Sequence, residues 1–226
     1  MINPEQPAEA ESFFSDIPEN LKREWENIPK DYVSVYHFTK PEALKGISEK
    51  GLRHYSDTAP EGQLDYYQKV KIDIDRIFDQ VATELGISHK RSGSVFASPE
   101  FMDEKQTMGK GNIPLEIKVD PQKVTIRDGQ LVTAAANSWL RTPDGQKWLE
   151  DHPEFIAEKN DKEQFEKLQA EFQGNHLDYI RQYWKKAVTL DEWNHLSAEE
   201  RKKLSKLPEV IIEDGVDPEF IRVKEN

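Results

Sequence analysis

The chain has 226 residues, with 31 Lys and Arg against 43 Asp and Glu, a formal net charge of −12 at pH 7, and no cysteine. This length suits one large domain, or a catalytic core with an inserted helical subdomain, and it can bury a core without covalent staples. Without cysteine there is no disulfide framework, thiolate zinc site or cysteine nucleophile, and the acidic balance disfavours tight, non-specific binding to phosphate backbones.

Residues 1–10 read as a disordered lead. Residues 1–12 are acidic, contain proline and lack the basic start and apolar centre of a signal peptide. No apolar run approaches the about 20 residues that span a bilayer. The expectation is a protein with no membrane association, cytoplasmic or delivered into a target cell.

A short helix is predicted after Pro18, with Leu21 and Trp25 at helical spacing up to Ile28. Residues 32–38 are rich in β-branched and aromatic side chains and predict a strand. Residues 41–50 predict a helix, with Pro41 at its start, Leu44 and Ile47 on its apolar face and Gly51 ending it. The clearest amphipathic helix is 64–85, where Leu64, Tyr67, Val70, Ile74, Ile77, Phe78, Val81 and Leu85 form one stripe before Gly86.

Residues 94–97 predict a short strand, and 114–119 a half-buried one, with Leu115, Ile117 and Val119 alternating against Glu116 and Lys118. Residues 124–126 continue the sheet, and Asp128-Gly129 is a turn signal. Residues 142–205 read mainly helical. Phe165, Leu168 and Phe172 share one face there, and Leu177, Ile180 and Trp184 another. Thr189 with Glu192, and Ser197 with Glu200, fit capping boxes, and the charged run 158–166 reads as a solvated face. Strands at 209–212 and 220–223, separated by a turn at Asp214-Gly215, close the chain. Strands early, helices next and strands again at the end make an α+β pattern rather than alternating βαβ units.

There is no dinucleotide-binding glycine motif after a strand, no P-loop, no HExxH and no GxSxG. The six histidines, His37, His54, His89, His152, His176 and His195, show no metal-ligand spacing. Three segments stand out. One is Tyr36-His37-Phe38-Thr39, followed by Gly46-Ile47 and Gly51-Leu52-Arg53. The second is Gly93-Ser94-Val95-Phe96-Ala97-Ser98. The third is Glu209-Val210-Ile211-Ile212.

In this order they resemble the ADP-ribosyltransferase superfamily, in the branch of diphtheria-type toxins and poly(ADP-ribose) polymerases. The opening His37-Phe38-Thr39 also resembles that of its DNA-modifying toxins. The resemblance covers about a quarter of the chain. It implies a split antiparallel β-sandwich with surrounding helices. Residues 1–30 would be a lead and helix, and 31–226 the catalytic domain, with a helical insertion at about 142–204 serving as a lid or acceptor-recognition surface.

The implied activity is mono-ADP-ribosyl transfer from NAD, as substrate, to a macromolecular acceptor, protein more readily than nucleic acid. An inhibitor or antitoxin partner, and a role as a bacterial or phage toxin or effector, fit the same resemblance. Leu207 stands where arginine-modifying relatives carry the first glutamate of a Glu-x-Glu pair, which argues against an arginine acceptor.

Cleavage between nicotinamide and ribose builds positive charge on the ribose, and a nearby carboxylate stabilises it and orients the 2′-hydroxyl. The resemblance gives Glu209 that role. It gives His37 a ribose hydroxyl, the Phe38 backbone the nicotinamide amide, and Thr39 the adenine ribose. Arg53 would meet the pyrophosphate or adenosine side, where a guanidinium fork suits phosphate oxygens. Ser94, with Ser98, offers hydroxyl contacts. Phe96 or Phe101 supplies the aromatic surface, since the family's stacking tyrosine falls at Val95. Two other readings stay open: an RNA 2′-phosphotransferase-like enzyme of the same superfamily, and a non-catalytic interaction module on the same fold.

Overall fold

The computed structural model describes residues 17–54, 66–101, 112–153, 166–167 and 170–224, with 66–71 described by backbone alone. In chain order the elements are β1 (Val33–Thr39), α1 (Leu44–Lys50), α2 (Tyr66–Glu84), β2 (Val95–Ala97), β3 (Ile113–Val119) and β4 (Thr125–Asp128). Then come α3 (Gly129–Trp139), α4 (Pro143–Asp151), α5 (His176–Lys185), β5 (Val188–Thr189), α6 (Leu190–His195), α7 (Ala198–Leu204), β6 (Pro208–Ile212) and β7 (Ile221–Val223). The class is α+β.

Two antiparallel sheets form, one in the order β1-β3-β7 and one in the order β2-β6-β4-β5. A bridge between Tyr36 and Ser98 joins them, with N–H to O distances of 2.8 and 2.7 Å. Alternation along each strand then decides what is buried. Val35, Leu115, Ile117, Ile221 and Val223 of the first sheet pack with Val95, Ala97, Ile126, Val210 and Ile212 of the second in one core. The other face of the second sheet offers Phe96 and Ile211 to a second core. There Ile74, Phe78 and Val81 of α2 meet Ala135 and Trp139 of α3 and Ile180, Tyr183 and Trp184 of α5.

Several boundaries differ from the sequence reading. The N-terminal helix reduces to a single 3-10 turn, Glu19–Leu21; Trp25 and Ile28 keep the apolar spacing, but Asn27 takes φ +62°, outside the right-handed helical region. The Asp128-Gly129 signal opens a helix instead of a plain turn: Asp128 is the N-cap of α3 and accepts from the Gln130 N–H at 3.2 Å. The helical stretch therefore begins at Gly129, and the short strand β5 interrupts it. Both capping boxes are present, at Thr189 with Glu192 and at Ser197 with Glu200. The lead 1–10, the charged run up to 165, and Leu64, Phe165 and Leu168 lie outside the described residues, as do the side chains of Tyr67 and Val70. Among the described residues no helix is long and apolar enough to cross a membrane.

Candidate active site

The three sequence segments fall on β1, β2 and β6. Tyr36 bridges Ser98, Phe96 pairs with Ile211, and Ala97 pairs with Val210, so the strands lie side by side across the junction of the sheets. Segments more than a hundred residues apart are thereby brought together by backbone pairing alone. On β6, Val210 and Ile212 face the inter-sheet core, so Glu209 and Ile211 face the helical side. The Glu209 side chain keeps 18% exposure, and its register partner on β4 is Arg127.

Arg91, fully buried, holds this carboxylate. Its Nη1 donates to Glu209 Oε1 at 2.5 Å, and its Nη2 lies 3.5 Å from Oε2. Nε donates to Asp75 Oδ1 at 2.7 Å, and Nη1 also donates to the Tyr183 hydroxyl. The Tyr183 hydroxyl in turn donates to Glu209 Oε1 at 3.0 Å. The guanidinium lies 4.3 Å from the Phe96 ring centroid, with Phe78 and Tyr183 at 5.2 and 5.1 Å.

Local sequence explains why Arg91 points inward. Asp79, one turn after Asp75 on α2, accepts from the Arg91 N–H at 2.6 Å, the Ser92 N–H at 3.2 Å and the Ser92 hydroxyl. One carboxylate thus pins the turn and the other pins the side chain it carries. Arg127, also buried, donates from Nη1 to the carbonyls of Tyr183 and Trp184 at 3.2 and 2.9 Å, satisfying the C-terminal end of α5.

Burial alone disfavours charge on Arg91, yet Glu209, Tyr183 and Asp75 outweigh it and keep the guanidinium well above its ordinary value. Burial, with Glu209 beside it, raises the Tyr183 phenol, so it stays protonated and able to donate. Burial also brings Arg127 down to about 10, which still leaves it charged at neutral pH. Asp75 and Glu209 against Arg91 and Arg127 make a formally neutral group, as a low-dielectric interior requires.

The other expected site residues are placed as follows. His37 has Nδ1 2.8 Å from the Phe96 carbonyl oxygen, so Nδ1 carries the proton and donates, and Nε2 of the neutral ring is an acceptor. Phe38 pairs with Pro114, and Thr39, the last residue of β1, with Ile113. Phe101, 41% exposed, lies edge-on to Tyr36 at 5.4 Å and tilted to Phe38 at 6.3 Å. Of the two aromatic candidates, Phe101 is the one at the surface, whereas Phe96 packs on Arg91. Ser94 is buried and donates its hydroxyl to the Lys90 carbonyl at 2.7 Å, while Ser98 donates to the Glu100 carbonyl at 2.6 Å. Arg53 forms an ion pair with Asp217 at 2.7 Å, beside the Leu52–Val216 bridge.

Sequence reasoning missed Asp75, Arg91, Arg127 and Tyr183. A signal existed for the first: Asp75 sits between Ile74 and Phe78, inside the apolar stripe of α2. A carboxylate there demands a buried cationic partner. Among the described residues, no group of three or more His, Cys, Asp or Glu side chains could hold a metal ion. Comparison with protein-family models, curated proteins and solved structures gives no match.

Proposed function

We propose that the protein is an NAD-dependent mono-ADP-ribosyltransferase of the split-sandwich type, with Glu209 as its catalytic carboxylate. The observation that carries this reading is the convergence of the three motif segments on adjacent strands, with Glu209 partly exposed beside them. In the reaction the bond from the ribose C1′ to the nicotinamide nitrogen breaks. The bonding electron pair leaves with nicotinamide. A nucleophile of the macromolecular acceptor bonds to C1′ and gives up its proton to solvent.

Because Arg91 already neutralises much of the Glu209 charge, the carboxylate acts chiefly by accepting from the ribose 2′-hydroxyl and less by attraction through space. Oε1 accepts from Arg91 and Tyr183, and Oε2 lies 3.5 Å from Arg91 Nη2. In this reading His37 Nε2 accepts from a ribose hydroxyl, the Phe38 backbone and Thr39 meet the nicotinamide amide and adenine ribose, and Phe101 provides the stacking face. Arg53 meets phosphate oxygens by exchanging its exposed partner Asp217.

The test is incubation with labelled NAD, with and without cell lysate. Nicotinamide release and label on a macromolecule are expected. Glu209→Ala should lower turnover about 10²–10³-fold, as removal of a transition-state electrostatic partner does; full activity in that variant would reject Glu209. One observation favours a second reading, a non-catalytic module: the Arg91–Glu209 pair would serve packing equally well. Saturable NAD binding with no nicotinamide release would establish that alternative.

A further inference from the structure

Glu209 is held by groups that no sequence motif contains, and they converge on its one carboxylate from separate parts of the chain. Arg91 is shared by two carboxylates through different nitrogens, Nε to Asp75 and Nη1 to Glu209. Tyr183 completes a triangle in which every proton has one direction: guanidinium to phenol oxygen, phenol to Glu209 Oε1, and guanidinium to the same Oε1. Three elements supply the parts. α2 contributes Asp75, the turn before β2 contributes Arg91, and α5 contributes Tyr183.

From this geometry, and resting on the proposed role of Glu209, we infer that Asp75, Arg91 and Tyr183 are positioning residues that fix Glu209 as an anion in one orientation toward the substrate. The guanidinium favours the charged carboxylate, and the phenol adds a hydrogen bond to that same form. Asp75 acts with the opposite sign on Glu209. It fixes the guanidinium in place, but its own negative charge disfavours a second anion nearby.

Two perturbations of opposite sign follow, and only a positioning role couples them to kcat. Tyr183→Phe keeps the ring and its packing but removes the donor, so Glu209 should titrate at higher pH. Asp75→Asn keeps size and removes a negative charge, so Glu209 should titrate at lower pH. Arg91, Tyr183 and Arg127 face Glu209, and Glu213 and Asp75 add negative charge around them.

The experiment is carbon-13 NMR titration of the full chain with labelled glutamate side-chain carboxyls, assigning Glu209 by the resonance lost in Glu209→Gln. The result expected is a midpoint raised in Tyr183→Phe and lowered in Asp75→Asn, with NAD turnover falling more in kcat than in KM in the first variant. Midpoints unchanged, or moved in the same direction in both variants, would overturn the inference. Arg91→Lys, which retains charge but not the two-sided fork, serves if either variant fails to fold, and should raise the Glu209 midpoint. The titration needs no NAD. Variants that shift as expected, with a wild-type protein that releases no nicotinamide, would therefore overturn the enzymatic reading alone.

Discussion

Glu116 is a carboxylate placed in the middle of a strand and almost fully buried. Ser34 donates to its Oε1 at 2.5 Å, and Arg222 grips Oε2 with Nε and Nη2 at 3.2 and 3.0 Å. Burial pushes its pKa up, but the hydrogen bonds from Ser34 and Arg222 prevail and hold it below the ordinary value of 4.5. A depressed folded-state pKa contributes stability that is fully present above the unfolded value. It is lost as pH falls below 4.5 and through the folded value. Glu116→Gln should therefore cost about 2 kcal/mol near neutral pH. It should also flatten the acid side of a stability–pH curve measured by urea unfolding. At this scale motif position singled out His37, Phe38 and Glu209, which the structure places on β1 and β6. It was silent on Arg91, Tyr183 and Arg127. Their partners come from three separate elements, and only the folded chain brings them within hydrogen-bonding distance.

Elements were legible wherever a local signal specified them. The strand alternation of β3, the two capping boxes and the described part of the α2 stripe, Ile74 to Leu85, each rest on residues within a few turns of each other, and all are present. Thr189→Ala should remove the side-chain cap of α6 and lower stability by about 1 kcal/mol, read as a reduced melting temperature. The end of α1 is more demanding. Gly51 has φ +78°, and an added Cβ would collide with the Val216 carbonyl oxygen, which accepts from the Leu52 N–H at 2.8 Å. Gly51→Ala should cost about 2–4 kcal/mol, measurable by the same unfolding curves, because backbone strain and steric overlap act together. The helix α3 was hidden because Asp followed by Gly signals both a turn and a helix start. The choice was settled by what the following residues pack against: Ala135 and Trp139 close on α2 and α5.

Across the whole molecule, one sheet serves two cores. Successive residues of β6 alternate between them, Val210 and Ile212 toward the sandwich and Ile211 toward the helices, so neither core can open while the other keeps its sheet. Trp184 adds a tie, donating from Nε1 to the Phe78 carbonyl at 2.8 Å. Single-tryptophan variants retaining Trp184, in the helical layer, or Trp193, in the sandwich core, should report coincident unfolding midpoints. Separate midpoints would show two independent folding units. The sequence conveyed the α+β class through the order of its elements. It did not convey that the helices seal one face of the second sheet, because that depends on pairings between β2, β4 and β6 across the length of the chain. The balanced charges beneath that helical layer also constrain how this protein can change through descent. A lineage that loses Arg91 alone strands Asp75 in the interior, a loss of about 3–5 kcal/mol. One that trades both for apolar side chains of similar volume relieves Asp75 but leaves the partly exposed Glu209 without its guanidinium, so it recovers stability and not activity. A selection for restored folding of an Arg91 mutant should therefore return changes at Asp75.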